Sequence, residues 1–352
     1  MMNLVIGFGV VLVLVILYMI FRIGSLVSVM SGPEKPGGSA NRINAALFMV
    51  FMIVGLIGFF WYSISHLEEY ELPVASEHGK ITDHLFWITM IVVVAAFSII
   101  FVVMFWFTYK YQYKEGRRAV YLTDNHMLEL TWTGIPAIVM ALLIFKGLNT
   151  WSDITGPATA DAQVIEMVGQ QFFWTSRYPG KDNKLGKFDF RLIDASNEFG
   201  LNLRDDENTY DDFKSGTLYL PKGREVLLKI RAKDVLHSVF LPHFRVKMDA
   251  VPGMVTQFKF VPTKSTEDMR TETGNPKFNY ELACTEICGK GHFSMRFPVV
   301  VLEADEFDKW KASQESWLKQ NPDYIRMVPE NKRNQAYERA GITAQVSEVK
   351  VN

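Results

Sequence analysis

Uncharged hydrophobic runs recur through the first half of the chain and indicate its architecture. Residues 1–21, 43–65 and 85–109 carry no charge, and each is close to the roughly 20 residues that cross a bilayer as a helix. A fourth run, residues 130–145, is shorter and spans the bilayer if residues 147–151 lie in the interface. We therefore predict four membrane-spanning helices rather than the buried core helices of a soluble protein.

The segments that connect these runs differ in the sign of their charge. The first and third connections are basic, whereas the second, residues 66–84, is acidic. By the positive-inside rule the basic connections are cytoplasmic, so both termini and everything after about Trp151 are expected outside. Three histidines in the acidic connection are expected to be solvated rather than metal-bound. They are His66, His78 and His84.

From Asp153 onward, short runs rich in Val, Phe, Tyr and Ile alternate with turn residues, as in "EVLLKIRAK" and "RFPVVVLE". This pattern predicts one all-β sandwich or barrel with its own core. Residues 194–213 interrupt the pattern and are expected to form an inserted acidic surface loop, and residues 263–276 a hairpin extension over the functional site. After Asp305 we predict a helix followed by a weakly ordered polar strap.

The chain is therefore predicted to be multi-domain, with N-terminal transmembrane α-helices followed by an all-β domain. Its net charge of -1 gives no reason to expect a nucleic-acid partner. The predicted segments are 1–66 for an additional helix pair, 80–152 for a transmembrane hairpin, 153–310 for the β domain and 311–352 for a C-terminal helix and polar tail.

Both cysteines of the chain lie in "ACTEICGKGHFSM", where Cys284 and Cys288 are followed by His292 and Met295. They face an oxidising compartment on the predicted topology, so a disulfide is one interpretation and a structural zinc site is another. Zinc has little use for a thioether, whereas thiolate, imidazole and thioether together favour copper. His237 supplies a second imidazole. This set is too large for one blue-copper centre and suits two copper ions bridged by both sulfurs.

The sequence resembles subunit II of the haem–copper cytochrome c oxidases over roughly residues 80–315. The dinuclear copper (CuA) loop of that family reads Cys-x-Glu-x-Cys-x3-His-x2-Met. The residues that match it are Cys284, Glu286, Cys288, His292 and Met295. The segments "DVLHS", "VKMDAVPG", "ELTWTGIP" and "GQQFFW" also match. The resemblance implies a cupredoxin-like Greek-key sandwich or barrel with His237 as the first copper ligand, which His243 would replace if the register failed.

The resemblance also implies a place in a respiratory enzyme. The chain would take electrons from a cytochrome c, or from a cytochrome-bearing respiratory complex, and pass them to the haem of subunit I for oxygen reduction coupled to proton translocation. Subunits I and III and membrane lipid are the implied partners. The implied location is a bacterial inner membrane, with the copper domain on the periplasmic side.

Two carboxylates receive roles from the resemblance. Glu286 would offer its carbonyl to copper and its carboxylate to a magnesium ion shared with subunit I, with a solvated loop carboxylate as the alternative. Glu129 would lie near the entrance of a proton-uptake path in subunit I. The alternative for Glu129 is an ordinary carboxylate at a helix start.

The donor side departs from the family. Phe172 stands where most relatives have the tryptophan thought to receive electrons, and Trp174 lies two residues further on. Phe172, Trp174 and Asp234 are therefore the candidates for electron transfer and donor docking. Acids of the insertion are expected to extend a docking face for a basic donor. They are Asp205, Asp206, Glu207, Asp211 and Asp212.

Other functions fit less well. A quinol oxidase subunit would lack copper, and a free-standing copper carrier or a structural protein would not need the "ELTWTGIP" helix. The sequence has no Cys-x-x-Cys-His motif, so the donor is expected to be a separate protein.

The additional helix pair is left unexplained by the resemblance. One interpretation is a stabilising hairpin against lipid, and a second is that the first run is a cleaved signal peptide. The first run has no positive residue before it, which favours a retained helix. Our preferred hypothesis is that the pair packs against another respiratory complex. The small residues that would permit close approach are Gly7, Gly9, Gly55 and Gly58.

Overall fold

The structure, a computed structural model, describes residues 2–30, 39–114 and 116–342. Among these residues, four helices are long and apolar enough to cross a membrane, which confirms the four predicted spans. The helices are α1 (Met2–Met30), α2 (Ser39–Ser65), α3 (Leu67–Tyr70), α4 (Glu77–Lys110), α5 (His126–Thr155), α6 (Thr266–Thr273), α7 (Ala304–Ala312), α8 (Trp317–Gln320) and α9 (Arg333–Ala340).

One of two compact units contains α1, α2 and Met90–Thr133. Within it, α2 packs on α4 through phenylalanine rings, and the centroids of Phe48 and Phe105 are 5.9 Å apart. Apart from the adjoining residues and the backbone of α2 itself, no atom of the described residues lies within 4 Å of a Cβ placed on Gly55 or Gly58. These glycines therefore do not serve the α2–α4 contact, and packing of the helix pair on another complex stays a prediction.

The other unit is built around two five-stranded sheets of the described residues. Sheet A has the order β3-β2-β1-β5-β8, and sheet B has the order β4-β10-β9-β6-β7. The predicted β-sandwich is confirmed. The strands are β1 (Gln163–Gln170), β2 (Phe173–Tyr178), β3 (Phe213–Ser215), β4 (Leu218–Pro221), β5 (Val226–Ala232), β6 (His237–Leu241), β7 (Val246–Ala250), β8 (Thr256–Phe260), β9 (Tyr280–Cys284) and β10 (Arg296–Leu302).

The inner faces of the two sheets enclose the main core. Ile165 and Met167 of β1 are buried there with Val239 of β6 and Val299 of β10. Side chains alternate across a strand, so Glu166 points to the outer face of sheet A. It is buried as well, at 3 % exposure, so the outer face must be covered by other parts of the chain.

A second hydrophobic core provides that cover. Leu201, Leu203 and Tyr210 of the insertion pack with Val168 of β1 and with Trp317 of α8. The expectation of an acidic surface loop is therefore wrong, because this segment buries its apolar side chains against the C-terminal helices. The expectation of a weakly ordered strap is also wrong as far as residue 342. Residues 343–352 of the predicted tail lie outside the described residues.

A buried ionic network connects sheet A to the insertion. Arg177 of β2 donates to Glu166 at 2.6 Å and to Asp212 at 2.8 Å. Arg231 of β5 donates to the other oxygen of Glu166 at 2.8 Å. Asp211 and Asp212 are buried, so their predicted place on an acidic docking face is wrong, because both are used inside the protein.

The segment before α4 is hydrogen-bonded to the β domain. The Ala75 N–H donates to the His243 carbonyl at 2.8 Å, and Arg245 donates to Asp83 at 2.7 Å. His78 is buried, with its ring centroid 5.2 Å from that of Phe258. The expectation that this histidine is solvated is wrong, because α4 begins at Glu77 and its first turns pack on sheet A.

The predicted hairpin at residues 263–276 is instead helix α6. Ser265 and Asp268 form a reciprocal capping box at its start, and Met269 lies in the main core. Thr266 Oγ1 accepts from the Val301 N–H, near the end of β10. This strand runs from Arg296 to Leu302, so α6 lies at its far end and not over the cysteine loop at its start.

Candidate metal centre

Neighbouring strands of sheet B bring the predicted ligands together. Strand β6 begins at His237 and β9 ends at Cys284, and the antiparallel register pairs Val239 with Cys284. Met295 directly precedes β10, and its carbonyl accepts from the Cys284 N–H at 3.1 Å. Because these strands are antiparallel neighbours, the start of β6, the end of β9 and the start of β10 lie at the same end of the sheet, and residues distant in sequence share one site.

The five side chains that the sequence singled out as copper ligands converge. The two Sγ atoms of Cys284 and Cys288 are 4.0 Å apart. His237 Nδ1 lies 3.9 Å from Cys284 Sγ, and His292 Nδ1 lies 3.6 Å from Cys288 Sγ. Met295 Sδ lies 3.9 Å from Cys288 Sγ. Both cysteines are free thiols, so the structure does not form the disulfide considered from the sequence.

The His237 ring is held in one orientation. Its Nε2 atom is 2.9 Å from Asp234 Oδ1, so Nε2 carries the proton and Nδ1 presents its lone pair towards the sulfurs. Burial raises the pKa of Asp234, but hydrogen bonds from the Gln171 N–H, from His237 and from the Val235 N–H outweigh burial and lower it. The Trp174 ring packs edge-on against His237, with centroids 5.8 Å apart.

Cys288 lies in the loop between β9 and β10 and is buried. Burial, followed by the neighbouring thiol of Cys284, raises the pKa of Cys288 to about 11. A cation bound beside the sulfur would favour the thiolate. The Glu286 carbonyl oxygen is 3.3 Å from Cys284 Sγ and so faces the centre. The Cys288 carbonyl accepts from Gln171 Nε2 at 2.6 Å.

Phe172 lies directly over this loop. A Cβ at Gly291 would be 2.4 Å from Phe172 Cγ, and a Cβ at Gly289 would be 3.0 Å from Phe172 Cε1. Only glycine permits this close approach. Phe172 is 37 % exposed whereas Trp174 is 3 % exposed, so of these two candidates Phe172 is the one that an external protein can touch.

Glu129 and His243, which the sequence also singled out, are not part of the group of converging ligands. Glu129 lies in the first turn of α5, with its carboxylate 3.6 Å from His126 Nδ1. The His243 ring packs edge-on against Phe278 and Tyr280, at 5.3 and 5.5 Å between centroids. Among the described residues, the His, Cys and acidic side chains that lie close enough together to hold a metal ion are His237, Cys284 and Cys288, and His243 is not among them.

Sequence reasoning missed Gln171. It occupies the two-residue turn between β1 and β2, and its contacts reach both the cysteine loop and Asp234. The available signal was its position inside the "GQQFFW" segment, next to Phe172. A glutamine in a turn is usually a solvated residue, so the local pattern gave no reason to select it.

Comparison with known proteins identifies the two halves of the chain. The sequence model of the cytochrome c oxidase subunit II transmembrane domain matches residues 66–150. The model of the periplasmic domain of the same subunit matches residues 163–304.

Two relatives agree with these matches over most of the chain. The alternative cytochrome c oxidase subunit 2 of Bradyrhizobium diazoefficiens is 35% identical over 278 residues, which are 77% of this chain and 92% of the relative. The cytochrome c oxidase subunit 2 of Alkalihalophilus pseudofirmus is 31% identical over 281 residues, 77% of this chain and 68% of the relative. The solved periplasmic domain of subunit II (CoxB) of Bradyrhizobium japonicum is 25% identical, covering 44% of this chain and 93% of that domain with a TM-score of 0.30.

Proposed function

Because this chain belongs to the family of cytochrome c oxidase subunit II, we propose that it is the subunit through which electrons enter a haem–copper oxidase, at a dinuclear copper centre. The observation that carries the proposal is the pair of buried free thiols whose sulfurs are 4.0 Å apart. The proposed ligands are His237, Cys284, Glu286 through its carbonyl, Cys288, His292 and Met295.

The donor set fits copper. A thiolate sulfur binds such metals at about 2.3 Å, and 4.0 Å between the sulfurs is less than twice that distance, so one ion can contact both. Two imidazole nitrogens and a thioether complete the set, and the thioether favours copper over zinc. The number of donors exceeds what one blue-copper ion takes, which supports two ions.

Bound copper would supply a site that accepts one electron and releases it again. The chain's own residues keep that site fixed. Sheet B holds Cys284 and Met295 through backbone hydrogen bonds, and Asp234 holds the His237 ring. Burial in the main core keeps water away from the sulfurs, and Phe172 covers the loop. A rigid, dry site changes little when its charge changes, which favours fast electron transfer.

The electron donor, a cytochrome c or a cytochrome-bearing respiratory complex, is proposed to dock over Phe172. The Asp234 carboxylate accepts hydrogen bonds from His237 and from the Gln171 N–H of the β1–β2 turn. It is therefore proposed to orient a copper ligand as well as to contribute charge to the docking surface. Glu207 is paired with Lys332 at 2.8 Å. Asp205 is exposed and remains available to attract a basic donor.

Family membership supports the remaining assignments. Oxygen reduction and proton translocation are assigned to subunit I, with subunit III as a further partner. The Glu286 carboxylate is proposed to bind a magnesium ion shared with subunit I, and Glu129 to lie near its proton-uptake path. The proposed location is a bacterial inner membrane with the copper domain in the periplasm, and the basic connections between the helices support that orientation.

The test compares two histidines in the full chain, purified in mild detergent with its partner subunits. We expect the wild type and His243→Asn to bind two copper ions per chain in the subunit II site. The electron-spin resonance spectrum should show one electron shared by both ions. His237→Asn should lose that spectrum because it removes the imidazole nitrogen, Nδ1, that lies 3.9 Å from Cys284 Sγ. If His237→Asn kept the shared-electron spectrum, or if the wild type held a zinc ion or a disulfide, the proposal would be wrong.

A further inference from the structure

The two cysteines of the centre are fixed to different extents. Cys284 is the last residue of β9 and is paired across the sheet with Val239. Cys288 lies four residues further on, in a loop outside the strands. A second thiolate carried by a loop needs a separate restraint if the distance between the two sulfurs is to stay constant.

Gln171 provides a direct contact to that loop. Its side-chain Nε2 donates to the Cys288 carbonyl at 2.6 Å, and a Cβ placed on Gly289 would lie 3.1 Å from the same nitrogen. Gly289 has a φ of 129°, a conformation that L residues with side chains rarely adopt. The glutamine amide and the glycine therefore fit together where the chain turns after Cys288.

The backbone of the same residue contacts the other ligand-bearing segment. The Gln171 N–H donates to Asp234 Oδ2 at 2.7 Å, and Asp234 Oδ1 orients His237. One turn residue thus connects the β9–β10 loop to the start of β6. The two connections use different atoms, so a side-chain substitution removes the contact to Cys288 and leaves the backbone contact to Asp234 in place.

The geometry points to Gln171 as a positioning residue for the metal centre, which holds the Cys288 backbone so that both thiolates face the same ions. This inference rests on the proposed copper function. Groups that orient metal ligands typically change metal affinity about 10- to 100-fold when they are removed. Loss of the Gln171 amide should therefore weaken copper retention and alter the sharing of the electron, without unfolding the domain.

The test uses Gln171→Met, which keeps the length of the side chain and removes its donor. Gln170→Met is the matched control, since Gln170 is the neighbouring residue in β1, opposite Phe173. The full chain is purified with its partner subunits, and copper release from the subunit II site to an excess of a copper(I) chelator is timed. We expect release about 10-fold faster or more for Gln171→Met and unchanged for Gln170→Met. The hyperfine pattern of Gln171→Met should also lose the equal sharing between the two ions.

Four outcomes would each overturn the inference. If the wild type holds two copper ions but Gln171→Met has the same release rate and spectrum, Gln171 does not position the loop and the proposed function stands. If Gln170→Met is affected as strongly, or if copper-free Gln171→Met unfolds at a clearly lower temperature than the copper-free wild type, the role is general stability. A wild-type chain without two copper ions would overturn both the inference and the proposed function.

Discussion

Replacing Arg177 by methionine should strongly destabilise the β domain. The Arg177 side chain is 3% exposed and donates to Glu166, to Asp212 and to the Gly186 carbonyl. Methionine has a similar length but leaves the buried Glu166 with one cation instead of two. It also removes the donor to Asp212, whose pKa burial raises to about 8 and whose other oxygen already has no hydrogen-bond partner among the described residues. Breaking a buried ion pair in this way costs about 3–5 kcal/mol. For a domain of this size the midpoint of thermal unfolding should fall by roughly 6–20 °C.

Arg191→Met is the matched control. Arg191 forms an ion pair of the same chemistry with Asp189, at 2.6 Å, but its side chain is 75% exposed. Water already solvates the guanidinium at such a site, so removing the cation should change the midpoint little. The comparison isolates burial from ion-pair geometry.

The two cysteines provide a specific assay. They are the only cysteines in the chain and both are buried in the β domain. In copper-free protein, the rate at which a thiol reagent labels them during heating therefore reports the opening of this domain and not of the membrane helices. If Arg177→Met and Arg191→Met gave equal midpoints, the network would not stabilise the domain and the reasoning would fail.

Acid should reduce the difference between Arg177→Met and the wild type. Burial raises the pKa of Glu166, but Arg177 and Arg231 outweigh burial and lower it below its ordinary value of 4.5. A carboxyl group with a lowered pKa stabilises the fold above its ordinary pKa, and this contribution is lost as the pH falls through the lower folded value. The wild-type midpoint should therefore fall on acidification below about pH 4.5, towards that of the variant. A constant difference throughout this range would contradict the assignment.

Two other regions lead to predictions. Gly291→Ala would place a Cβ 2.4 Å from Phe172 Cγ, so we expect the ring to be displaced and the free energy of unfolding to fall by about 1–3 kcal/mol from crowding. Gly216→Ala is the control, because a Cβ there would meet no side chain of the described residues within 4 Å apart from the adjoining ones, and it should have little effect. Equal thermal midpoints for the two variants would refute the contact. A chain ending at Ser313 should lose the second core and at least about 3 kcal/mol, since Leu318 and Val328 each contribute about 1.5–3 kcal/mol. A chain ending at Ile342 should retain that core. Thiol labelling measures both truncations, and equal midpoints would exclude a stabilising tail.

The local parts of the centre could be predicted from the sequence. Cys284 to Met295 form a short pattern whose residue types and spacing are typical of a metal-binding loop, and the structure brings its thiol, imidazole and thioether groups together. The four spans could be predicted equally well, because the hydropathy of a long run depends on its composition and not on distant contacts.

The burial of the insertion could not be predicted in the same way. The residues around Asp212 in the sequence suggest a solvated acidic segment. The partner that allows Asp212 to be buried is Arg177, which is distant in sequence. Other acids of the insertion bind nearby backbone amides, as Asp194 does with the N–H groups of Ser196 and Asn197. They therefore mark turns rather than a solvated surface. Helix α6 had a readable signal in the capping pair Ser265 and Asp268.

The second core also imposes an order on the maturation of this chain. Its two contributors, around Leu201 and around Trp317, are separated by most of the β domain. During synthesis the insertion emerges first, and its apolar side chains have no cover until the C-terminal helices have followed. Such an exposed intermediate is prone to aggregation, so the domain should depend on a chaperone until its last helices arrive.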